Sequence, residues 1–390
     1  MKQGWEIKKL GEVCESDLGK TLNQSKDKGE LRPYLCAINV LWDKFDFTTL
    51  KETRFDESEL DRYSVRKGDL LICEGGDIGR AAIWEYDYVI QYQNALHRVR
   101  LDKNVNSRFL LLYLRHLKIS GELDAKYGKG VTIKHLVKSS LLSIPIPIPP
   151  REEQERIVAE LDCLSGVIEK KREQLRELDA LAQSIFYQMF GDPITNEKGW
   201  GVSTIENVCS SIVRGPFGSA LKKEYFVERS NTTYKVYEQK HAIQKDSSIG
   251  TYYISADMFE TLSRFEIKEG DIIMSCSGTI GEFYEIPIGA EKGIMNQALL
   301  KYTLNKNIHK IYFLYVMEWV KENFEKKGSG LQNIGSVKTI KSTDVSLPPL
   351  TLQQEFADKI EAIEKQKELI KQSITQTEEL FNSRMDYYFN

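Results

Sequence analysis

The sequence predicts an α+β protein: two mixed α/β domains in tandem repeat, each followed by a long helix, with the two helices paired as an antiparallel coiled coil. Three observations carry this. Landmarks recur about half a chain apart, a proline-rich break closes each repeat, and a 3.5-residue apolar period follows each break. The length of 390 residues suits two or three domains. With 41% hydrophobic and 28% charged residues, disordered and collagen-like classes are excluded.

The repeat organises the chain. Gly4-Trp5 recurs as Gly199-Trp200 and Val13-Cys14 as Val208-Cys209, both displaced by 195. Lys67-Gly68-Asp69-Leu70-Leu71-Ile72 recurs as Glu269-Gly270-Asp271-Ile272-Ile273-Met274, displaced by 202, and Gly76-Asp77-Ile78-Gly79 meets Gly278-Thr279-Ile280-Gly281 at the same displacement. Gly128-Lys129-Gly130 meets Gly328-Ser329-Gly330, and Gln154-Glu155 meets Gln354-Glu355, both displaced by 200. Loop insertions account for the drift. The expected segments are 1–150, a helix over 151–190, 191–349, and a second helix over 350–390.

Each element has its own signal. Asp69–Cys73 and Asp271–Ser275, apolar and followed by glycines, read as buried strands entering tight turns. Leu110–Leu114 reads as a buried helix flanked by Arg108 and Arg115-His116. Ile144–Pro150 and Leu347-Pro348-Pro349 are extended, because proline fixes φ and lacks the N–H donor, and they end each domain. Beyond them apolar residues fall in a 4-3 rhythm at Ile157, Leu161, Leu164, Ile168, Leu175, Leu178, Ala182, Ile185 and Met189, broken by Lys171. The second copy runs through Phe356, Ile360, Ile363, Ile370, Ile374 and Phe381, broken by Lys367 and Thr377. Pseudo-two-fold symmetry makes this pair antiparallel, a dumb-bell with a rod of roughly 48 Å.

The net charge of −3 conceals a division. Residues 1–150 hold 24 Lys+Arg against 21 Asp+Glu, residues 191–350 hold 19 of each, and each helical segment is more acidic than basic. Local clusters are more telling. Lys126, Lys129, Lys134, His135 and Lys138 surround Gly128–Thr132; Lys326, Lys327, Lys338 and Lys341 surround Gly328–Asn333. Gly-x-Gly turns expose backbone N–H groups to phosphate, lysines neutralise it, and Thr132, Gln332 and Asn333 have the donors and acceptors to reach base edges. Lys20, Lys26, Lys28 and Arg32, with Arg214, Lys222 and Lys223 in the second repeat, are further candidates for phosphate contact.

Catalytic signatures fail. Gly19-Lys20-Thr21 ends like a phosphate-binding loop, but Cys14 stands where the first glycine belongs. Asp257, Glu266 and Lys268 have nuclease-like spacing, yet Ala256 precedes them and the other repeat has Phe55 and Ser64 at the carboxylate positions. Six cysteines form no Cys-x-x-Cys pair, five histidines are scattered, and no stretch approaches the ~20 apolar residues of a membrane span. No metal site is expected, and a reduced, cytoplasmic setting is. The expectation is a chain that performs no chemistry of its own.

Taken in order and twice over, the Lys-Gly-Asp-Leu-Leu strand, the Gly-x-Gly turn, the Ile-Pro-Ile-Pro break and the helix opening Glu152-Glu153-Gln154-Glu155-Arg156-Ile157 resemble the specificity (S) subunits of Type I restriction–modification systems. The resemblance spans 1–390. It implies two target-recognition domains reading a bipartite DNA site, asymmetric because the heads share little beyond framework, with the helices as spacer. It also implies two methylation subunits and, joining them, restriction subunits, on which S-adenosylmethionine, ATP and Mg²⁺ are held. The second break departs slightly, with Thr351-Leu352 replacing the acidic pair. The competing reading is a coiled-coil adaptor with two protein-binding heads; salt-sensitive retention on DNA separates the two.

Overall fold

The computed structural model describes residues 4–23, 25, 27–217, 219–324, 326–327, 333–334 and 336–390, and only the backbone of 323, 326, 327, 333 and 334. Two compact units divide the chain. One comprises residues 1–174 and 370–390, the other 175–369. Each unit takes one half of each long helix, Arg151–Phe190 and Leu350–Phe389.

In the first unit, one antiparallel sheet has the order Cys14–Leu18, Leu96–Leu101, Leu70–Cys73, Ala81–Ile83. A second has the order Lys51–Phe55, Glu30–Leu35, Ile90–Tyr92, Ser64–Val65, with one parallel pairing, between Ile90–Tyr92 and Glu30–Leu35. Leu70–Cys73 lies between two apolar layers, which is why it reads as a continuous apolar run. Side chains alternate along it: Leu70 and Ile72 face the helix Ser107–Ile119, while Leu71 and Cys73 face the second sheet with Val65, Trp84 and Tyr92.

The second unit repeats this plan. Its sheets run Cys209–Arg214, Leu299–Leu304, Ile272–Ser275, Phe283–Glu285, and Tyr253–Ile254, Tyr234–Tyr237, Gly293–Met295, Glu266–Ile267, again with one parallel pairing. Ile272 and Met274 face the helix Lys310–Val320, and Ile273 faces the other way.

The recurring Gly-Asp has a specific task. Gly68 and Gly270 take φ of +92° and +79°, closing the turn into the buried strand. The buried Asp69 carboxylate accepts the Arg66 N–H at 2.8 Å and the Arg100 guanidinium at 2.7 Å. Asp271 accepts the Lys268 N–H at 2.9 Å and the Thr303 hydroxyl at 2.6 Å, with the Lys301 ammonium 3.2 Å away. Each buried charge is thus paired, as burial requires.

The proline-rich break is itself a strand. Pro145–Ile148 pairs antiparallel with Glu6–Lys9, and Asp344–Leu347 pairs with Gly201–Thr204. Prolines fit in Pro145–Ile148 because it belongs to a two-stranded sheet with open edges, and in the second copy Pro348-Pro349 follow directly after the strand. Just beyond, a buried glutamine fastens the helix to its domain. Gln154 Oε1 accepts the Asn106 N–H at 2.8 Å, and its amide donates to Asn104 O and Pro149 O, both at 2.9 Å. Gln353 does the same, accepting from the His309 N–H at 2.7 Å and donating to Pro348 O at 2.7 Å. The counterpart of Gln154 is therefore Gln353, displaced by 199. Gln354, matched to Gln154 by sequence alone, is exposed and bonds to Asp358.

Within each unit the two helix halves run antiparallel. In the first, Ile157, Leu161, Leu164 and Ile168 share a core with Ile374, Phe381, Met385, Tyr388 and Phe389. The Tyr388 hydroxyl donates to Glu160 at 2.6 Å, Arg384 bonds to Glu160, and Arg172 bonds to Glu378 at 2.6 Å. In the second, Leu178, Ala182, Ile185, Phe186, Met189 and Phe190 meet Phe356, Ile360 and Ile363. Leu175 and Ile370 are half-buried near the helix middles. The seam lysines are bonded there. Lys171 donates to Ser373 Oγ at 2.6 Å and Thr377 Oγ1 at 3.0 Å, and Lys367 pairs with Asp179 at 2.7 Å.

Candidate nucleic-acid interface

One predicted cluster comes together on a single projection. The Lys129 N–H donates to His135 O at 2.8 Å and the His135 N–H donates to Lys129 O at 2.7 Å, pinching 129–135 into a closed finger. Gly130 makes the turn with φ +110°, and a Cβ there would lie 2.2 Å from Ile133 O. Lys129, Thr132 and His135 are exposed on the finger. Lys126 sits just before it and pairs with Glu122 at 2.5 Å. Lys134 points back, its ammonium donating to Asp124 O at 2.7 Å, and so braces the base of the finger.

The finger is seated on the end of the buried strand. The Leu136 N–H donates to Glu74 O at 2.7 Å, and Leu136 O lies 2.7 Å from Nε2 of the fully buried His97. Burial lowers the His97 pKa, so the ring is neutral and Nε2–H is the donor to Leu136 O. Burial also raises the Glu74 pKa, against the opposing pull of His135.

Lys20 is a correction. It is only 4% exposed, and its ammonium lies 2.6 Å from Glu59, 3.3 Å from Asp27 and 2.8 Å from Arg54 O. Burial alone would lower its pKa, but the Glu59 and Asp27 carboxylates raise it. This lysine holds the fold together and has no face for phosphate. Arg32 is half-buried and paired with Glu30 at 2.7 Å. Lys26 lies outside the described residues.

In the second unit, Arg214 Nε donates to Gln297 O at 3.0 Å, which fixes the strand end. Gly215 follows so closely against the neighbouring chain that a Cβ would lie 1.8 Å from Asn296 O. Lys222 and Lys223 are exposed beyond this loop, Lys222 near Glu224 at 3.3 Å. Lys338 is exposed at the start of the helix Val337–Lys341. The backbone of Lys326–Lys327 pairs with Asn333–Ile334. The side chains of Lys326, Lys327 and Asn333, and all of Gln332, lie outside the described residues.

Sequence reasoning missed three exposed apolar residues on these loops: Val131, Ile133 and Phe217, the last 88% exposed. An isolated valine or phenylalanine carries a core signal, so nothing in the sequence marked them. Glu266 pairs with Lys268 and Lys292, and among the described residues no three His, Cys, Asp or Glu side chains gather to hold a metal. Among the described residues no helix is long and apolar enough to cross a membrane.

The chain is one scaffold built twice, with exposed lysines on loops of each copy. Residues 2–179 and 197–379 match the Type I restriction modification DNA specificity domain, and the chain belongs to that family. Its relatives include the putative type I restriction enzyme MjaX specificity subunit of Methanocaldococcus jannaschii, 24% identical over 93% of this chain and 87% of that one. The EcoKI specificity subunit of Escherichia coli K12 is 21% identical over 93% of this chain and 82% of its own. Two solved structures share the fold. A chain from work on complex assembly and conformational transition of the type I R-M system gives a TM-score of 0.63 at 18% identity, covering 100% of this chain and 98% of that one. The Type I S subunit of M. genitalium gives 0.53 at 13% identity, covering 98% and 95%.

Proposed function

We propose that this chain is the sequence-reading subunit of a Type I restriction–modification complex, that each unit reads one half of a bipartite, asymmetric DNA target, and that the paired helices set the gap. The observation that carries this reading is one scaffold built twice with different loops. Shared framework preserves the way each unit meets DNA, while unlike loops address unlike half-sites. Phosphate contacts come from Lys126, Lys129 and His135 in the first unit and from Lys222, Lys223 and Lys338 in the second. Direct readout falls to polar groups such as Thr132.

The chain carries no reaction itself. Methyl transfer from S-adenosylmethionine belongs to methylation subunits gripping the helices and adjoining domain surfaces, and ATP with Mg²⁺ belongs to restriction subunits. The test is co-expression with a methylation subunit of a related system, followed by long-read mapping of modified adenines across the host genome. One bipartite, asymmetric motif with a fixed gap is expected. Methylation without a gapped motif, or no complex at all, overturns the reading.

A further inference from the structure

We propose that Val131 and Ile133 form an apolar reading tip that enters a groove of duplex DNA and contacts base edges there. This deepens the DNA-recognition reading above and rests on it. Loop tips are ordinarily polar, because apolar groups gain nothing from water. Here two β-branched side chains stand at the tip of the finger, Val131 fully exposed and Ile133 65% exposed.

The tip is rigid. The reciprocal Lys129–His135 hydrogen bonds close it, Gly130 has no room for a Cβ, and Lys134, Glu74 and His97 anchor its base. β-branched side chains hold few rotamers, so little entropy is lost when they are enclosed. A preorganised apolar point of this kind is built to enter something.

Charge identifies what it enters. From Ala125 to Arg151 the chain holds no Asp or Glu, and Lys129 and His135 stand exposed on the finger with Lys126 just before it, paired with Glu122, while Lys134 is turned to the base. Among the described residues the Lys129 ammonium has no hydrogen-bond or ion-pair partner. A cationic collar around an apolar point suits a polyanion with an apolar interior. Duplex DNA has that form, with phosphates along the rim and thymine methyls and base faces within the grooves. An apolar protein pocket would not call for the lysines.

The test uses the complex with the methylation subunit. Its Kd is measured for a duplex carrying the mapped motif and for a scrambled duplex, between about 50 and 200 mM salt. Val131→Ser/Ile133→Ser is expected to weaken motif binding about ten-fold or more, leaving scrambled-duplex binding and the salt slope unchanged. Lys126→Ala/Lys129→Ala is expected to weaken both duplexes and lower the slope by about 0.9 per lysine. Unchanged thermal melting checks that the surface substitutions leave the fold intact. If the serine variant keeps its full motif preference, the inference is overturned alone. If it instead loses the methylation subunit, the tip is a protein contact and the inference also fails. A wild-type complex with no preference for any duplex overturns the DNA-recognition reading with it.

Discussion

His97 and His241 occupy equivalent trouble in the two units: each is fully buried, and each must stay neutral. His97 Nε2 meets Leu136 O while Nδ1 is buried without a partner. His241 Nδ1 accepts the Glu238 N–H at 2.8 Å, and Nε2 donates to Ile249 O at 2.8 Å. Burial lowers both pKa values below the ordinary 6.5. Above that pH both folded and unfolded chains hold neutral rings, and the difference vanishes. As pH falls through 6.5, the unfolded chain takes up protons that the folded chain refuses, so stability is lost on the acid side. Each histidine contributes at most about 1.4 kcal/mol per pH unit in that window. Urea unfolding at pH 7.5 and 5.5 checks this. The double variant His97→Gln/His241→Gln is expected to show a pH loss smaller by about 1 kcal/mol or more, and an equal loss would refute the assignment.

At the scale of elements, the long helices divide into parts with different energetic weight. Phe186 is fully buried against Phe190, Tyr312 and Phe356, with ring centroids 5.2, 5.8 and 5.5 Å away. Phe186→Ala is expected to destabilise the protein by about 3–5 kcal/mol in chemical denaturation. Lys171→Met is expected to change stability by less than about 1 kcal/mol, because Lys171 is half-exposed and Thr377 Oγ1 already bonds to Ser373 O at 2.7 Å. Comparable losses from the two variants would mean the helix pairing, rather than its seat on the domain, holds the unit. The contrast also marks what was legible. The strand Leu70–Cys73, the helix around Leu110–Leu114 and the 4-3 stripe announce themselves by period and composition, which are local. Phe186 and Phe190 lie beside that stripe and pack on Tyr312 of the domain as well as on Phe356 of the second helix, so a period search passes over them. The Glu6–Lys9 pairing joins residues some 140 apart and leaves no local trace. Lys20 was misassigned for the same reason, since its partners Asp27, Arg54 and Glu59 are brought to it only by the fold. Val131 and Ile133 were unreadable because exposure is a tertiary property.

For the whole molecule, the sharpest test is of the proposed role of the paired helices in setting the gap. Hydrogen-bonded partners fix the register: Lys171 meets Ser373, and Lys367 meets Asp179. Removing residues 171–177 together with 369–375 deletes one heptad from each helix at matched positions and keeps the heptad phase of both stripes. Each helix shortens by about 10 Å at 1.5 Å per residue. Translation alone corresponds to about three base pairs at 3.4 Å each. Rotation argues for fewer, since a heptad returns a helix face to within about 20°, whereas three base pairs turn the duplex by roughly 100° at 10–10.5 per turn. The permitted gap is therefore expected to shorten by one to three base pairs with both half-site sequences unchanged. Mapping methylated motifs in cells expressing the shortened chain with its methylation subunit gives the answer. A gap left at its original length, with full methylation, would remove the helices from the specificity mechanism and place the spacing in the methylation subunits instead.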